Sequence, residues 1–280
     1  MTEPKIQLMA FDVDGTLARR DQSVCPDVID AIRLAHSRGI RITIATGRNQ
    51  AETMPVWNQL GLAGYDDPMI FVGGSIIARP SGETLWSDAF DAGLLAELAD
   101  VLIAMGLSAV ATTDPYHSNL AHVVLPGADY DFVNERFLAK LPDRRTQVID
   151  RFDAACPPVL RMLAFIPPER GDEICAVLNA QFAPAVNLHP IYVPTYDVTV
   201  IEFFTGSVCK WNAITRLAAM HKINPARIAV FGDDVNDITM LTSAGHGVAM
   251  ARGAKEAHAA ADEIATNGLA SAVLAAIKLQ

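Results

Sequence analysis

Aromatic residues make up only 7% of this 280-residue chain, and there are just four cysteines, Cys25, Cys156, Cys175 and Cys209. The cysteines are scattered, with no C-x-x-C pair and no Cys/His cluster at zinc spacing. That excludes a disulfide framework and a structural zinc site, and leaves small apolar thiols of the kind found in a reducing compartment. No apolar run approaches the roughly 18 residues that a membrane span needs. Met1–Lys5 lacks a basic stretch leading into a long apolar segment, so no secretory leader is expected and a cytoplasmic location is. Positive charge is also in deficit: 22 Lys and Arg against 32 Asp and Glu leave a net charge of −10. An acidic surface repels phosphate backbones and anionic headgroups, so neither nucleic acid nor a membrane is an expected partner. There is no internal repeat and no low-complexity tract.

What the chain does have is apolar mass. It is 51% hydrophobic and 19% charged, which supports a sizeable core and, at this length, about two domains. The first 75 residues alternate strand and helix. Ile6–Phe11 reads as a strand, a helix follows from Pro26 with Val28, Ile29, Ile32 and Ala35 on one stripe, and Gly39 closes it. Ile40, Ile42 and Ile44 recur at period two, Ala51–Leu60 reads as helix, and Met69–Val72 as a third strand. Such alternation predicts a parallel sheet covered on both faces. The middle reads differently. A helix over Leu94–Met105 is followed by frequent prolines, short strands at Val159–Phe165 and Thr199–Phe204, and a helix at Glu169–Phe182 between them. From Lys210 the first rhythm returns, with helices at Lys210–His221, Ile238–Ala244 and Leu269–Leu279 and strands at Ile228–Phe231 and Gly247–Met250. The expected architecture is an α/β fold: a doubly wound, Rossmann-like parallel-sheet core from residues 1–84 and 197–280, with an α+β domain inserted at 85–196.

Four sequence elements carry chemistry. Asp12-Val13-Asp14-Gly15-Thr16-Leu17 follows the first strand, at the sheet end where open α/β folds bind ligands. Two carboxylates held close there need a cation or a proton between them. A calcium loop starting at Asp12 would want Gly at 17 and an acid at 23, where the chain has Leu17 and Ser23. Thr46-Gly47-Arg48 ends the second strand, and a hydroxyl with a flexible amide ahead of a helix forms an anion cradle. Lys210 opens a late helix and supplies a compact positive charge. Gly232-Asp233-Asp234-Val235-Asn236-Asp237 follows another strand. If a helix begins there, Asp233, Asn236 and Asp237 share one face at i, i+3 and i+4. All-oxygen donors suit a hard divalent cation.

With these four motifs in this order, the chain resembles the haloacid dehalogenase-like hydrolase superfamily, and within it the Cof-type phosphatases. The likeness runs over nearly the whole chain. The short interval from Asp14 to Thr46 and the long one from Arg48 to Lys210 place the insertion after the second motif, which in this family implies the larger α+β cap. A superfamily dehalogenase carries its cap earlier and lacks the second aspartate, whereas Asp14 is present. Two stretches depart from the pattern: Gly73-Gly74-Ser75 stands where Asn-Gly-Ala is usual, and Ala251-Arg252-Gly253 where Asn-Ala is usual.

The resemblance implies an Mg²⁺-dependent phosphatase of a small phosphorylated metabolite, a sugar phosphate being the natural candidate. Asp12 would be the nucleophile that forms an aspartyl-phosphate, and Asp14 the general acid and base. Mg²⁺ would be held by Asp12, the Asp14 carbonyl and Asp233. Thr46, Gly47, Lys210 and Asn236 would bind phosphate or substrate, and Asp237 would support Lys210 and the metal shell. Two alternatives stay open at this point: a phosphomutase or phosphotransferase on the same fold, and a non-catalytic sensor of a phosphorylated metabolite.

Overall fold

In the computed structural model the described residues are 6–62, 64–141, 145–194 and 196–279. Met1–Lys5, where no leader is expected, lie outside them. The chain divides into two compact units, one formed by the segments up to Trp86 and from Cys209, the other by Ser87–Val208.

The first unit opens with strand β1 (Leu8–Phe11), helix α1 (Pro26–Ser37), strand β2 (Arg41–Ile44), helix α2 (Gln50–Trp57) and strands β3 (Met69–Phe71), β4 (Ile76–Ala78) and β5 (Thr84–Ser87). All four residues of β1 are buried, as a strand covered on both faces requires. Pro26 starts α1, where its missing N–H costs nothing, and Val28, Ala31, Ile32 and Ala35 form the buried stripe. The third strand does not extend the parallel sheet as the alternation predicts. It touches β2 at the single bridge Ala45–Ile70 and continues instead into an antiparallel order β3-β4-β5. The cause is the turn after it. Val72, Gly73 and Gly74 take φ of 52°, 67° and 110°, so the chain reverses at once. Val72 is β-branched, and the left-handed region is costly for it. Backbone bonds from Val72 to the Arg48 carbonyl and from Gly73 to the Thr46 carbonyl, both 2.9 Å, hold it there.

The second unit comprises helix α3 (Ala92–Ala104), strands β6 (Ala109–Thr113) and β7 (His122–Leu125), helix α4 (Tyr130–Arg136), strands β8 (Thr146–Val148) and β9 (Val159–Ile166), helix α5 (Gly171–Phe182) and strands β10 (Val186–Val193) and β11 (Val198–Thr205). Its six strands run β10-β11-β9-β6-β7-β8. Neighbours are antiparallel except β7 and β8. Period two sorts the strand β9 cleanly. Met162 and Ala164 pack with Leu98, Leu102, Ile174 and Leu178 of α3 and α5, while Leu163 and Phe165 pack with Val133 and Leu138 on the other side. The sequence boundary at 196/197 assigns β11 to the parallel core. The structure pairs β11 with both β10 and β9, so the second unit runs on to Val208.

The first unit is completed by helix α6 (Lys210–Met220), strand β12 (Ile228–Gly232), helix α7 (Ile238–Ser243), strand β13 (His246–Met250), helix α8 (Lys255–Ala260), strand β14 (Glu263–Ala265) and helix α9 (Leu269–Lys278). The parallel sheet is ordered β14-β13-β12-β1-β2. Leu8 is registered against both Ile228 and Arg41, so the first strand of the chain lies inside a sheet completed by its last strands. Between α8, which stops at Ala260, and β14, which begins at Glu263, only two residues intervene.

Candidate active site

The carboxyl ends of β1, β2 and β12 bring the sequence motifs together. Asp12 follows β1 directly, and its N–H donates to the Phe231 carbonyl at 2.9 Å. The Phe11 and Phe231 rings stack beneath it with centroids 4.7 Å apart. Ala45 donates to the Phe11 carbonyl at 2.9 Å, so the Thr46 turn leaves the sheet beside Asp12. Thr46 is buried, and its hydroxyl accepts from the Arg48 N–H at 3.1 Å. A Cβ on Gly47 would meet nothing within 4 Å, so the next residue opens onto clear space.

Lys210 is the first residue of α6, a poor place for a cation because the helix end is itself positive. Two carboxylates compensate. Its Nζ donates to Asp12 Oδ1 at 2.6 Å and to Asp237 Oδ1 at 2.7 Å, with Asn236 Oδ1 at 3.4 Å. Lys210 and Asp12 are buried, and Asp237 is fully so. The other Asp237 oxygen accepts from the N–H groups of Asp233 and Asp234, at 2.9 and 3.2 Å. Both oxygens of Asp237 are therefore engaged in holding Lys210 and the turn after β12. The shared helix face expected for Asp233, Asn236 and Asp237 does not form. Asp234 is the cap of a single 3₁₀ turn, Val235–Asp237, and Asp233 lies ahead of it.

Asp233 is fixed from two other sides. Thr16 donates its hydroxyl to Asp233 Oδ1 at 3.1 Å, and the Ala254 N–H donates to the Asp233 carbonyl at 2.7 Å. Gly15, at φ 79°, passes so close that a Cβ there would lie 2.0 Å from Asp233 Oδ2. A glycine is required on both counts. Thr16 was not among the expected site residues, although it stands inside the first motif.

Asp12, Asp233 and Asp237 each place one carboxylate oxygen within 4.8 Å of the others. Burial pushes Asp12 up to about 7, against the pull of Lys210 and with further upward pressure from Asp237. Burial, then Asp237, pushes Asp233 up to about 6. Burial alone would lower Lys210, but Asp12 and Asp237 outweigh it and hold its pKa above the usual lysine range. Three carboxylates around one ammonium leave an excess of negative charge in a dry place, which calls for either a proton or a further cation. An all-oxygen acidic donor set fits Mg²⁺.

Asp14 has a different environment. Its carboxylate is exposed and faces Arg48, which donates Nε to Oδ2 at 2.7 Å and Nη2 to Oδ1. This fork-to-fork pair sets the Asp14 side chain apart from the acidic cluster. Arg48 closes the second motif but was not among the expected site residues. Its role shows only when the two loops are seen side by side.

The family model of the haloacid dehalogenase-like hydrolases matches residues 9–277. The HMP-PP phosphatase of Serratia proteamaculans is 26% identical over 252 residues, covering 87% of this chain and 83% of that protein. Among solved structures, the haloacid dehalogenase superfamily phosphatase BT1666 of Bacteroides thetaiotaomicron superposes with a TM-score of 0.74 at 19% identity, covering 97% of this chain and 95% of that one. The subclass IIB sugar phosphatase BT4131 does so with a TM-score of 0.70 at 22% identity, covering 95% and 97%. With a parallel-sheet core, a further sheet in the inserted unit and a family match along almost its entire length, the chain belongs to the haloacid dehalogenase-like hydrolases, Cof-type, and is an enzyme of their phosphatase class.

Proposed function

We propose that this enzyme hydrolyses phosphomonoesters of small metabolites, sugar phosphates foremost, with Mg²⁺ as cofactor and an aspartyl-phosphate as intermediate. The observation that carries the reading is the convergence of Asp12, Lys210, Asp233 and Asp237 on one buried cluster. The sugar preference takes support from the likeness to a sugar phosphatase. A cytoplasmic setting takes support from the four free thiols. Among the described residues no helix is long and apolar enough to cross a membrane.

Asp12, Asp233 and the Asp14 carbonyl would hold Mg²⁺, which when bound offsets the negative charge of both carboxylates and phosphate. Lys210 holds Asp12 through Oδ1, which leaves Oδ2 to attack phosphorus in line with the departing ester oxygen. The P–O ester bond breaks, and Asp14 gives its proton to the leaving alcohol. In the second half Asp14 takes a proton from water, the water oxygen bonds phosphorus, and the acyl-phosphate bond breaks to restore Asp12. The Arg48 fork fits the ionised Asp14 of this second half. The ammonium of Lys210, the Thr46 hydroxyl and the Gly47 amide would bind the remaining phosphoryl oxygens, with Asn236 at the rim. Asp237 acts through Lys210, not on substrate.

The test is orthophosphate release from a panel of sugar phosphates, with and without Mg²⁺, by the natural chain and by Asp12→Asn. Turnover that needs Mg²⁺ and falls by roughly a thousandfold or more in the variant is expected, since the nucleophile is gone. Activity surviving within tenfold would refute the covalent role.

A further inference from the structure

A groove of about 910 Å³ in the first unit shares residues with the candidate active site. Asp14, Thr16 and Asp233 line it together with Arg19, Arg20 and Arg252. Three arginines around one groove are conspicuous in a chain of net charge −10. Arg20 and Arg252 are exposed and, among the described residues, their side chains make no hydrogen bond or ion pair. Arg19 is exposed, and its charge lies near enough to Asp21 to help hold that carboxyl low, after the Ser23 hydrogen bonds. Asp27 also borders the groove, and its Oδ1 accepts from the Val28 N–H.

The two loops that carry the arginines are tied to the site's own residues. Arg19 and Arg20 follow Thr16, the residue that holds Asp233. Arg252 precedes Gly253 and Ala254, which close on the Asp233 carbonyl: a Cβ on Gly253 would lie 2.5 Å from that oxygen, and Ala254 donates to it at 2.7 Å. Arg252 is thus anchored one residue from a contact with the acidic cluster, in the stretch whose sequence departs from the family pattern. A guanidinium pays little desolvation at such a rim and presents paired donors suited to phosphate or carboxylate.

We infer that the Arg20/Arg252 groove binds a second anionic group of the substrate, so that the preferred substrates are phosphomonoesters carrying another phosphate or a carboxylate at the far end. This rests on the phosphatase reading for the chemistry at Asp12 but not for the binding itself.

The test compares fructose 1,6-bisphosphate with fructose 6-phosphate. For the natural chain with Mg²⁺, kcat/KM is expected to favour the bisphosphate, and Arg20→Ala/Arg252→Ala is expected to cut that ratio by roughly tenfold or more, mainly through KM. The charge reversal Arg252→Glu should cut it further. A ratio unchanged within twofold in both variants overturns the inference. Binding is read separately by calorimetric titration of each sugar into the Asp12→Asn chain with Mg²⁺, with and without the two arginines. Bisphosphate affinity that depends on the arginines in the Asp12→Asn chain, found together with no orthophosphate release by the natural chain with Mg²⁺, supports this site and overturns the phosphatase reading. Affinities equal for the two sugars, and unaffected by the arginines, overturn the site alone.

Discussion

The metal-free enzyme is expected to lose stability as the pH rises from about 4 to 7, because its buried cluster prefers to keep a proton on Asp12. That carboxyl moves from 3.8 in the unfolded chain to about 7 in the folded one. Between those values the folded state holds a proton that the unfolded state has released, so the sign is fixed: stability is fully present below pH 4 and drains away up to pH 7. Each pH unit in that window costs about 1.4 kcal/mol, and the full shift of Asp12 amounts to about 4 kcal/mol. Asp233, raised to about 6, adds in the same direction. His221, lowered chiefly by burial, works against it. The clean quantity is therefore the difference between the natural chain and Asp12→Asn. Urea unfolding in EDTA at pH 5, 6, 7 and 8, followed by circular dichroism, gives that difference at each pH. It should fall by about 3 kcal/mol from pH 5 to 8 in EDTA and flatten in saturating Mg²⁺, which binds the ionised form and takes the proton's place. A difference curve that stays level in EDTA would show that Asp12 is ionised throughout, and the reasoning about excess charge would be wrong.

Other perturbations probe single contacts. Lys210→Met should cost about 3–5 kcal/mol in urea unfolding at pH 8, since it strands Asp12 and Asp237 without their partner, and should cost much less at pH 5. Gly15→Ala places a methyl group 2.0 Å from Asp233 Oδ2 at a φ of 79°; a stability loss of at least about 1–2 kcal/mol by thermal unfolding is expected, with weakened Mg²⁺ activation. Leu98→Ala, in the apolar layer between α3 and the six-stranded sheet, should cost about 2–5 kcal/mol, measured by urea unfolding. It should leave the KM for Mg²⁺ where it was.

The parallel sheet was legible in the sequence because its strands are short apolar runs or alternate at period two. LMAF, RITI and IAVFG show their burial on sight. The second unit was harder to read. Ala109–Thr113 reads AVATT and Val186–Val193 reads VNLHPIYV, with little contrast between alternate positions. Pro190 argues against a strand in general, but β10 is at the sheet edge, where a missing N–H is tolerated. The same is true of the site. Three motifs follow strand ends and Lys210 opens a helix, so all could be placed by spacing, yet the Asp14–Arg48 fork depends on two loops lying side by side. The turn at Val72 and the 3₁₀ start of α7 depend on local backbone bonds that periodicity does not register.

The position of β1 between an early and a late strand has a consequence for synthesis on the ribosome. Leu8 finds one neighbour in Arg41 early, but its other neighbour, Ile228, emerges only after the entire inserted unit. The inserted unit, whose strands all come from within Ser87–Val208, has its partners available long before then. One edge of β1 stays unpaired through most of translation, a standing invitation to mispairing. Lys210 and Asp233 are delivered in the same late segment, so a nascent chain that stops before it carries the first two motifs without the lysine and the aspartate that meet Asp12 and Thr16 in the finished fold.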